Sequence, residues 1–273
     1  MLTPKYLFES KGNTGGRLIE KITSQRKIIL FLDYDGTLVP IKKRPSLAVL
    51  STSMHELLNK LAIHSNISVI IVTGRSFSDI KKLMGISKII YVSNHGFQIS
   101  GDQIKWIHPD TKRNLSILKK IYILLNNSLS SFPETFVEDK KLTLSVHFRN
   151  EKNNLIPFVK KNVTATIQPF YENINKTTGK KIIEIRPNIN WDKGKAVLKV
   201  LALLKQSKNQ NSIIYMGDDK TDEDAFRALR TKAITVHVGS NRDTQAHFYL
   251  QNTNQVKTFL EMILLSSKNR NEL

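Results

Sequence analysis

Asp33-Tyr34-Asp35-Gly36-Thr37 follows directly on an unbroken apolar run, Ile28–Leu32. Two carboxylates spaced i, i+2 project the same way while the chain stays extended. Such a pair can hold Mg²⁺ through hard oxygens, and it can divide a reaction between a group that attacks and a group that carries protons. Gly36 permits a sharp turn. A bare Asp-x-Asp is common. Its place at the end of an apolar strand is what matters here, because ligand sites in open α/β sheets lie beyond the carboxyl ends of the strands.

Other segments repeat the arrangement. Gly217-Asp218-Asp219-Lys220-Thr221-Asp222-Glu223-Asp224 follows a second apolar run, Ile213–Met216. This run of acids is expected at the same sheet edge as Asp33, where its carboxylates would join those of Asp33 and Asp35 in a metal site of the kind magnesium prefers. Thr73-Gly74-Arg75 ends a third run, Ile67–Val72, and offers a hydroxyl and main-chain N–H groups for phosphoryl oxygens near a helix start. Lys193, after Trp191-Asp192, opens a helix and could offset charge developing on a phosphoryl group. Taken singly, the last two read more readily as a capped turn and a surface lysine.

These residues need elements to hold them. The apolar runs Ile28–Leu32, Ile67–Val72 and Ile89–Val92 read as strands buried on both faces. Between them, Leu50, Met54, Leu57, Leu58 and Leu61 fall at helical spacing, and Ser76 with Asp79 forms a helix-start pattern. Strand and helix in alternation imply a parallel sheet. The pattern then changes. A helix is expected over Leu115–Leu129, followed by strict alternation. Leu142, Leu144, Val146 and Phe148 lie on one face, and Thr143, Ser145, His147 and Arg149 on the other. That is a half-buried antiparallel strand. A helix around Phe158 and Val159 and a strand over Lys180–Arg186, closed by Pro187, complete this part. The α/β pattern returns with a helix over Lys193–Leu204, the strand Ile213–Met216, a short helix at Ala225–Leu229, a strand at Ile234–Val238 and a last helix near Val256–Leu265. The fold class expected is α/β, with a Rossmann-like core over residues 1–103 and 188–273 and an inserted α/β cap over 104–187. Residues 1–26 read as a lead-in with one weakly helical stretch at Leu18–Ile22.

The composition is that of a globular chain: 40% hydrophobic and 24% charged over 273 residues. No apolar run approaches the roughly 18 residues of a membrane span, and the N-terminus lacks the apolar region of a secretory signal, so a cytoplasmic protein is expected. There are no cysteines, which excludes disulfides, thiolate metal sites and a cysteine nucleophile. The net charge is +19, but the lysines are spread along the chain and form no long block. This argues against a nucleic-acid partner and suits the gathering of small anions.

Together, Asp33 and Asp35, Thr73, Lys193, and Asp218 with Asp219 and Asp222 resemble the four motifs of the haloacid-dehalogenase-like phosphatases. The resemblance narrows over residues 27–245. Asp33 to Ile41, Asn94-His95-Gly96, Glu138 to Arg149, Glu184 to Pro187, Trp191 to Gly194 and Gly217 to Phe226 look like the trehalose-6-phosphate phosphatase family. The resemblance implies a Rossmann-like core that takes the phosphate and a cap that grips the sugar. It implies a Mg²⁺-dependent reaction through an aspartyl phosphate, with Asp33, Asp35, Thr73 and Lys193 catalytic and Asp33, Asp35, Asp218, Asp219 and Asp222 holding the metal. By similarity Thr73, Gly74 and Arg75 face the substrate, Glu138, Lys140, His147, Arg149 and Glu184 are sugar contacts, and His95 lies nearby. Two positions depart from the family pattern: Lys141 stands where a glycine is expected, and Asn94 where an acidic or small residue is. Phosphatases of sucrose-phosphate or mannosyl-phosphoglycerate remain alternatives, for which Glu138–Arg149 is the discriminating segment. A silent sugar-phosphate sensor or a nucleic-acid binder on the same fold is a further alternative. The intact set of Asp33, Asp35, Thr73, Lys193 and Asp218 argues against it.

Overall fold

The strand that carries Asp33 stands at the centre of the core sheet because nearly every residue of Lys27–Asp33 is apolar and fully buried. The computed structural model describes residues 3–9, 14–101, 103–179, 181–205, 211–240 and 243–269. In chain order the elements are β1 (Lys5–Tyr6), α1 (Thr14–Thr23), β2 (Lys27–Asp33), α2 (Thr52–Ile63), β3 (Ile67–Val72), α3 (Phe77–Met84), β4 (Ile90–Ser93), β5 (Gln98–Gly101) and β6 (Ile104–Ile107). Then come α4 (Leu115–Ser128), β7 (Phe136–Asp139), β8 (Leu144–His147), α5 (Ile156–Ile167), β9 (Ile174–Gly179) and β10 (Ile182–Pro187). The chain ends with α6 (Lys193–Leu203), β11 (Asn211–Gly217), α7 (Asp222–Leu229), β12 (Ile234–Val238), β13 (Phe248–Leu250) and α8 (Thr253–Asn269).

The nine-stranded sheet runs β1-β13-β12-β11-β2-β3-β4-β5-β6. All pairs from β1 to β4 are parallel, and β5 is antiparallel to β4. Strand β2 sits between β3, which follows it in sequence, and β11, which returns much later. Its carboxyl end is therefore the switch point where open α/β sheets hold ligands.

Side-chain alternation along β2 assigns its two faces. Ile28, Leu30 and Leu32 pack with residues of α1, α2, α3 and α8. Ile29 and Phe31 pack with Ala196, Val197 and Val200 of α6 and with Ala225, Phe226 and Leu229 of α7. Each such side chain contributes roughly 1.5–3 kcal/mol on leaving water. Asp33 continues the odd-numbered face, the one covered by α6 and α7, and this places it beside the first residue of α6.

By contacts the chain divides into two compact units. One comprises Met1–Lys42, Ala48–Trp106 and Trp191–Leu273, and the other Lys43–Leu47 and Ile107–Asn190. An insert was expected over 104–187; the contact boundaries lie a few residues later, since β6 lies in the core sheet. The second unit carries a sheet of order β7-β8-β10-β9, antiparallel throughout. Leu118, Ile121 and Leu125 of α4 and Val159, Val163 and Ile167 of α5 pack on Val137, Leu144, Val146, Ile183 and Ile185.

Three expectations need correction. The lead-in, expected to hold one weakly helical stretch, also carries a strand of the core sheet. Lys5 and Tyr6 pair with Phe248 and Tyr249, and Leu7, Ile19 and Ile22 are buried. Two paired residues are too few to leave a sequence signature of a strand. The alternating strand is ordered only over Leu144–His147, so Arg149 lies in the turn beyond it. Its polar face is not half-solvated either: Thr143 and Ser145 are fully buried. Lys180, the expected start of β10, lies outside the described residues. No described helix is long and apolar enough to cross a membrane.

Candidate active site

The turn after β2 is built around Gly36. Leu38 and Val39 donate main-chain N–H groups to the Tyr34 carbonyl, and Gly36 N–H donates to Val39 O at 2.7 Å. Gly36 takes φ +90°, which favours glycine. A Cβ there would overlap the Asp218 carboxylate and lie 2.7 Å from its Oδ1. The turn that presents Asp33 and Asp35 is thus seated against the loop after β11.

Lys193 is the hub of the buried charges. Its Nζ donates to Asp33 Oδ1 at 2.9 Å and to Asp222 Oδ1 at 2.7 Å, and lies 3.8 Å from Asp219 Oδ1. Asp192 caps α6 by accepting from Lys195 N–H at 2.8 Å, so the helix start that carries Lys193 is fixed. Asp222 is saturated. Oδ1 accepts from Lys193 and from Tyr215 Oη–H at 2.6 Å, and Oδ2 accepts from the main-chain N–H groups of Asp218 and Asp219, both at 3.1 Å. Asp219 Oδ1 accepts from the Thr221 N–H and hydroxyl and from Asp222 N–H. These bonds make Asp222 and Asp219 braces of the acidic loop.

Carboxylate oxygens of Asp33, Asp218 and Asp222 lie within 4.8 Å of one another. Asp218 Oδ1 is buried without a hydrogen-bond partner, the orphaned acceptor that a cation would satisfy. Burial and the neighbouring carboxylates push Asp218 up to about 8 and Asp33 well above the ordinary range, against the opposing pull of Lys193. Burial likewise raises Asp222 to about 6. Lys193 shows the reverse balance: burial would lower it, but the surrounding carboxylates hold it well above its usual value, so it is a cation. A pocket this rich in crowded acids around one lysine has room for a second positive charge. The residues fit a divalent ion: Asp218 Oδ1 is unpartnered, and Asp33 gives one oxygen to Lys193, whereas both oxygens of Asp222 are engaged.

Thr73 is buried at the end of β3. Its N–H donates to Val92 O at 2.8 Å, and its Oγ1 accepts from Arg75 N–H at 3.1 Å. The hydroxyl hydrogen is left for another acceptor. His95 N–H donates to Thr73 O at 3.0 Å. A Cβ at Gly74 would lie 2.5 Å from His95 Nε2, so the glycine lets the histidine ring lie against this turn. Asn94 and His95 both have positive φ, 51° and 56°. Arg75 is the surprise in this set. Expected to face the substrate, it spends its guanidinium on Asp35, through Nε and Nη2 at 2.7 Å each, and on Asp79 at 2.6 Å.

In the second unit, Glu138, Ser145 and Glu184 stand in cross-strand register on one sheet face. Glu138 Oε2 bonds His147 Nε2 at 2.7 Å, and Lys140 Nζ bonds Glu184 Oε1 at 3.3 Å. Although burial opposes it, the bond to His147 and the nearby Lys140 hold Glu138 below its ordinary value. Lys141 adopts φ +72°, the left-handed conformation that the expected glycine would take freely, with its N–H donated to Asp139 Oδ1 at 2.7 Å.

Sequence reasoning gave Tyr215 no role, and read Asp79 only as part of a helix start and Glu223 only as one acid of the run. Tyr215 is one hydroxyl inside an apolar run, and only the fold shows that it reaches Asp222. Glu223 accepts from the Thr244 hydroxyl at 2.6 Å and Gln245 N–H at 2.8 Å, tying the acidic loop to the segment before β13.

The family model described as trehalose-phosphatase matches residues 31–255. The chain is 33% identical over 252 residues to trehalose-phosphate phosphatase B of Arabidopsis thaliana, covering 88% of this chain and 67% of that one. It is 33% identical to trehalose 6-phosphate phosphatase RA3 of Zea mays, covering 87% and 70%. The chain thus spans about two thirds of the length of these plant relatives. Among solved structures, a trehalose-6-phosphate phosphatase related protein superposes with a TM-score of 0.77 at 27% identity, covering 89% of this chain and 99% of that one. A haloacid dehalogenase-like hydrolase from Bacteroides thetaiotaomicron superposes with a TM-score of 0.60 at 15% identity, covering 88% and 100%, and shares the fold.

Proposed function

The chain belongs to the trehalose-phosphatase family, and from that premise we propose that it hydrolyses trehalose 6-phosphate to trehalose and inorganic phosphate, with Asp33 as nucleophile. The observation that carries the reading is the bond from Lys193 Nζ to Asp33 Oδ1 at 2.9 Å, with the carboxylate of Asp218 close by. Lys193 fixes one oxygen of Asp33 and so presents the other for attack.

In the reaction, Asp33 forms a bond to phosphorus as the bond to the sugar oxygen breaks, giving an aspartyl phosphate. Asp35 gives a proton to the departing oxygen. It then takes one from the water that hydrolyses the intermediate, and Asp33 is restored. The Thr73 hydroxyl, the Gly74 main-chain N–H and Lys193 stabilise the phosphoryl oxygens. Asp33 and Asp218, with the main-chain carbonyl of Asp35, would hold Mg²⁺, which when bound offsets phosphate charge. Asp219 and Asp222 hold the acidic loop in place for it. Glu138, Lys140, His147, Arg149 and Glu184 are the residues proposed to hydrogen-bond the sugar, and their donors and acceptors suit a ligand rich in hydroxyls.

The test is phosphate release from a panel of sugar phosphates, measured with Mg²⁺ and with a chelator. Trehalose 6-phosphate is expected to give the highest kcat/KM, with activity lost in chelator. A higher kcat/KM for sucrose-phosphate, or full activity without a divalent ion, would refute the reading.

A further inference from the structure

Arg75 makes an unusually complete set of contacts for a residue outside the phosphoryl-transfer machinery. Nε and Nη2 form a fork onto both oxygens of Asp35, each at 2.7 Å, and Nη1 reaches Asp79 Oδ2 at 2.6 Å. The guanidinium carbon stands 5.2 Å from the centre of the Tyr34 ring, which covers one face of the group. That ring is itself fixed, since Tyr34 Oη–H donates to Ala48 O at 2.8 Å and the side chain is fully buried. The backbone is anchored as well. Arg75 N–H donates to Thr73 Oγ1, and Arg75 O accepts from Asn94 N–H at 2.8 Å.

The two ends of this device differ in exposure. The Arg75 side chain is 7% exposed, while Asp35 is 41% exposed. A buried, planar fork grips a carboxylate whose outer side remains accessible. A fork fixes the plane of the carboxylate as well as its distance, which a lysine ammonium cannot do. Asp79 lies in the first turn of α3, where Ser76 caps the helix by accepting from Asp79 N–H at 3.2 Å. That helix start therefore steadies the fork from behind.

From this geometry we infer that Arg75 is the positioning residue for Asp35: it sets the carboxylate plane from which a proton reaches the leaving oxygen, and Asp79 holds Arg75 in register. The inference rests on the proton-carrier role of Asp35 given above, and it gives Arg75 a task other than binding phosphate. It also accounts for Tyr34, the residue between the two aspartates, as the surface on which the fork lies.

The test separates proton delivery from everything else. Rates are measured on trehalose 6-phosphate, whose sugar oxygen must be protonated as it leaves, and on p-nitrophenyl phosphate, whose leaving oxygen needs no proton. The quantity read is the ratio of the two kcat/KM values. Arg75→Lys keeps the charge but loses the fork. It is expected to lower kcat/KM for the sugar phosphate by about 100-fold, the scale of a misplacement of about 1 Å, with p-nitrophenyl phosphate falling far less. Asp79→Asn should shift the ratio in the same direction by a smaller factor. An equal fall on both substrates would overturn the inference, because damage to the fold or to phosphate binding affects both. Asp35→Asn is the control. If it leaves the ratio unmoved, the proton-carrier role fails and the inference with it. If Asp35→Asn moves the ratio and Arg75→Lys does not, only the positioning role fails. A first-turnover burst of p-nitrophenolate, released before the step that needs Asp35 as base, reports that each variant is folded.

Discussion

Gly36→Ala is the sharpest single test of how the two acidic segments meet. The glycine has φ +90°, which costs an alanine roughly 1–2 kcal/mol in backbone strain. The larger effect is steric. A Cβ at this position would overlap the Asp218 carboxylate, lying 2.7 Å from Oδ1 and closer still to Cγ and Oδ2. Rotating the carboxylate about its own axis cannot relieve a clash with all three atoms, so Asp218 must swing away by about 1 Å or more. A displacement of that size costs on the order of 100-fold in rate when the displaced group orients a reactive centre. Asp218 is also a proposed metal ligand, so the apparent affinity for Mg²⁺ should fall together with kcat. The assay is phosphate release titrated with Mg²⁺, alongside thermal unfolding to confirm that the variant is folded. A folded variant with wild-type kcat and an unchanged Mg²⁺ titration would refute both the seating of the turn on Asp218 and the role of Asp218 in holding the ion.

Three further outcomes are expected. Asp33→Asn should abolish phosphate release without lowering Tm, since it removes one carboxylate from a crowded buried set; residual Mg²⁺-dependent turnover near the wild-type rate would exclude Asp33 as nucleophile. Tyr215→Phe removes a buried 2.6 Å bond to Asp222 and should cost about 1.5–3 kcal/mol of stability, the range for a hydrogen bond to a charged group, read from denaturant unfolding. Stripped of metal, the protein should lose stability as pH rises from about 4 to about 8. Asp218 has its folded pKa raised to about 8, so the folded state holds a proton there that the unfolded chain gives up, and Mg²⁺ should flatten the decline in Tm scans.

The order of strands and helices was largely legible in the chain because buried parallel strands are written as unbroken apolar runs. Ile67–Val72 and Ile234–Val238 match β3 and β12 residue for residue. The elements that escaped are short or polar. β1 spans two residues, and β9 is exposed along most of its length, so neither carries a periodic pattern. β5 and β6 escaped for another reason: their pairing at the edge of the core sheet depends on where the chain goes after β4.

The sequence by itself determined which groups could do chemistry. Asp33 ends a strand, Lys193 opens a helix, and Asp35, Thr73 and Asp218 follow closely on strand ends, where local geometry fixes how a residue stands. Which partner each one meets was decided by the tertiary structure alone. Lys193 reaches Asp33 across 160 residues of chain because alternation along β2 turns Asp33 toward the face that α6 covers. Asp222, expected among the metal ligands, spends both its oxygens on Lys193, Tyr215 and two main-chain N–H groups. Arg75 meets Asp35 and Asp79 over the ring of Tyr34, partners supplied by the turn after β2 and the first turn of α3. Spacing constrains a side chain only within its own strand or turn, whereas bonds between distant segments follow from sheet order and packing.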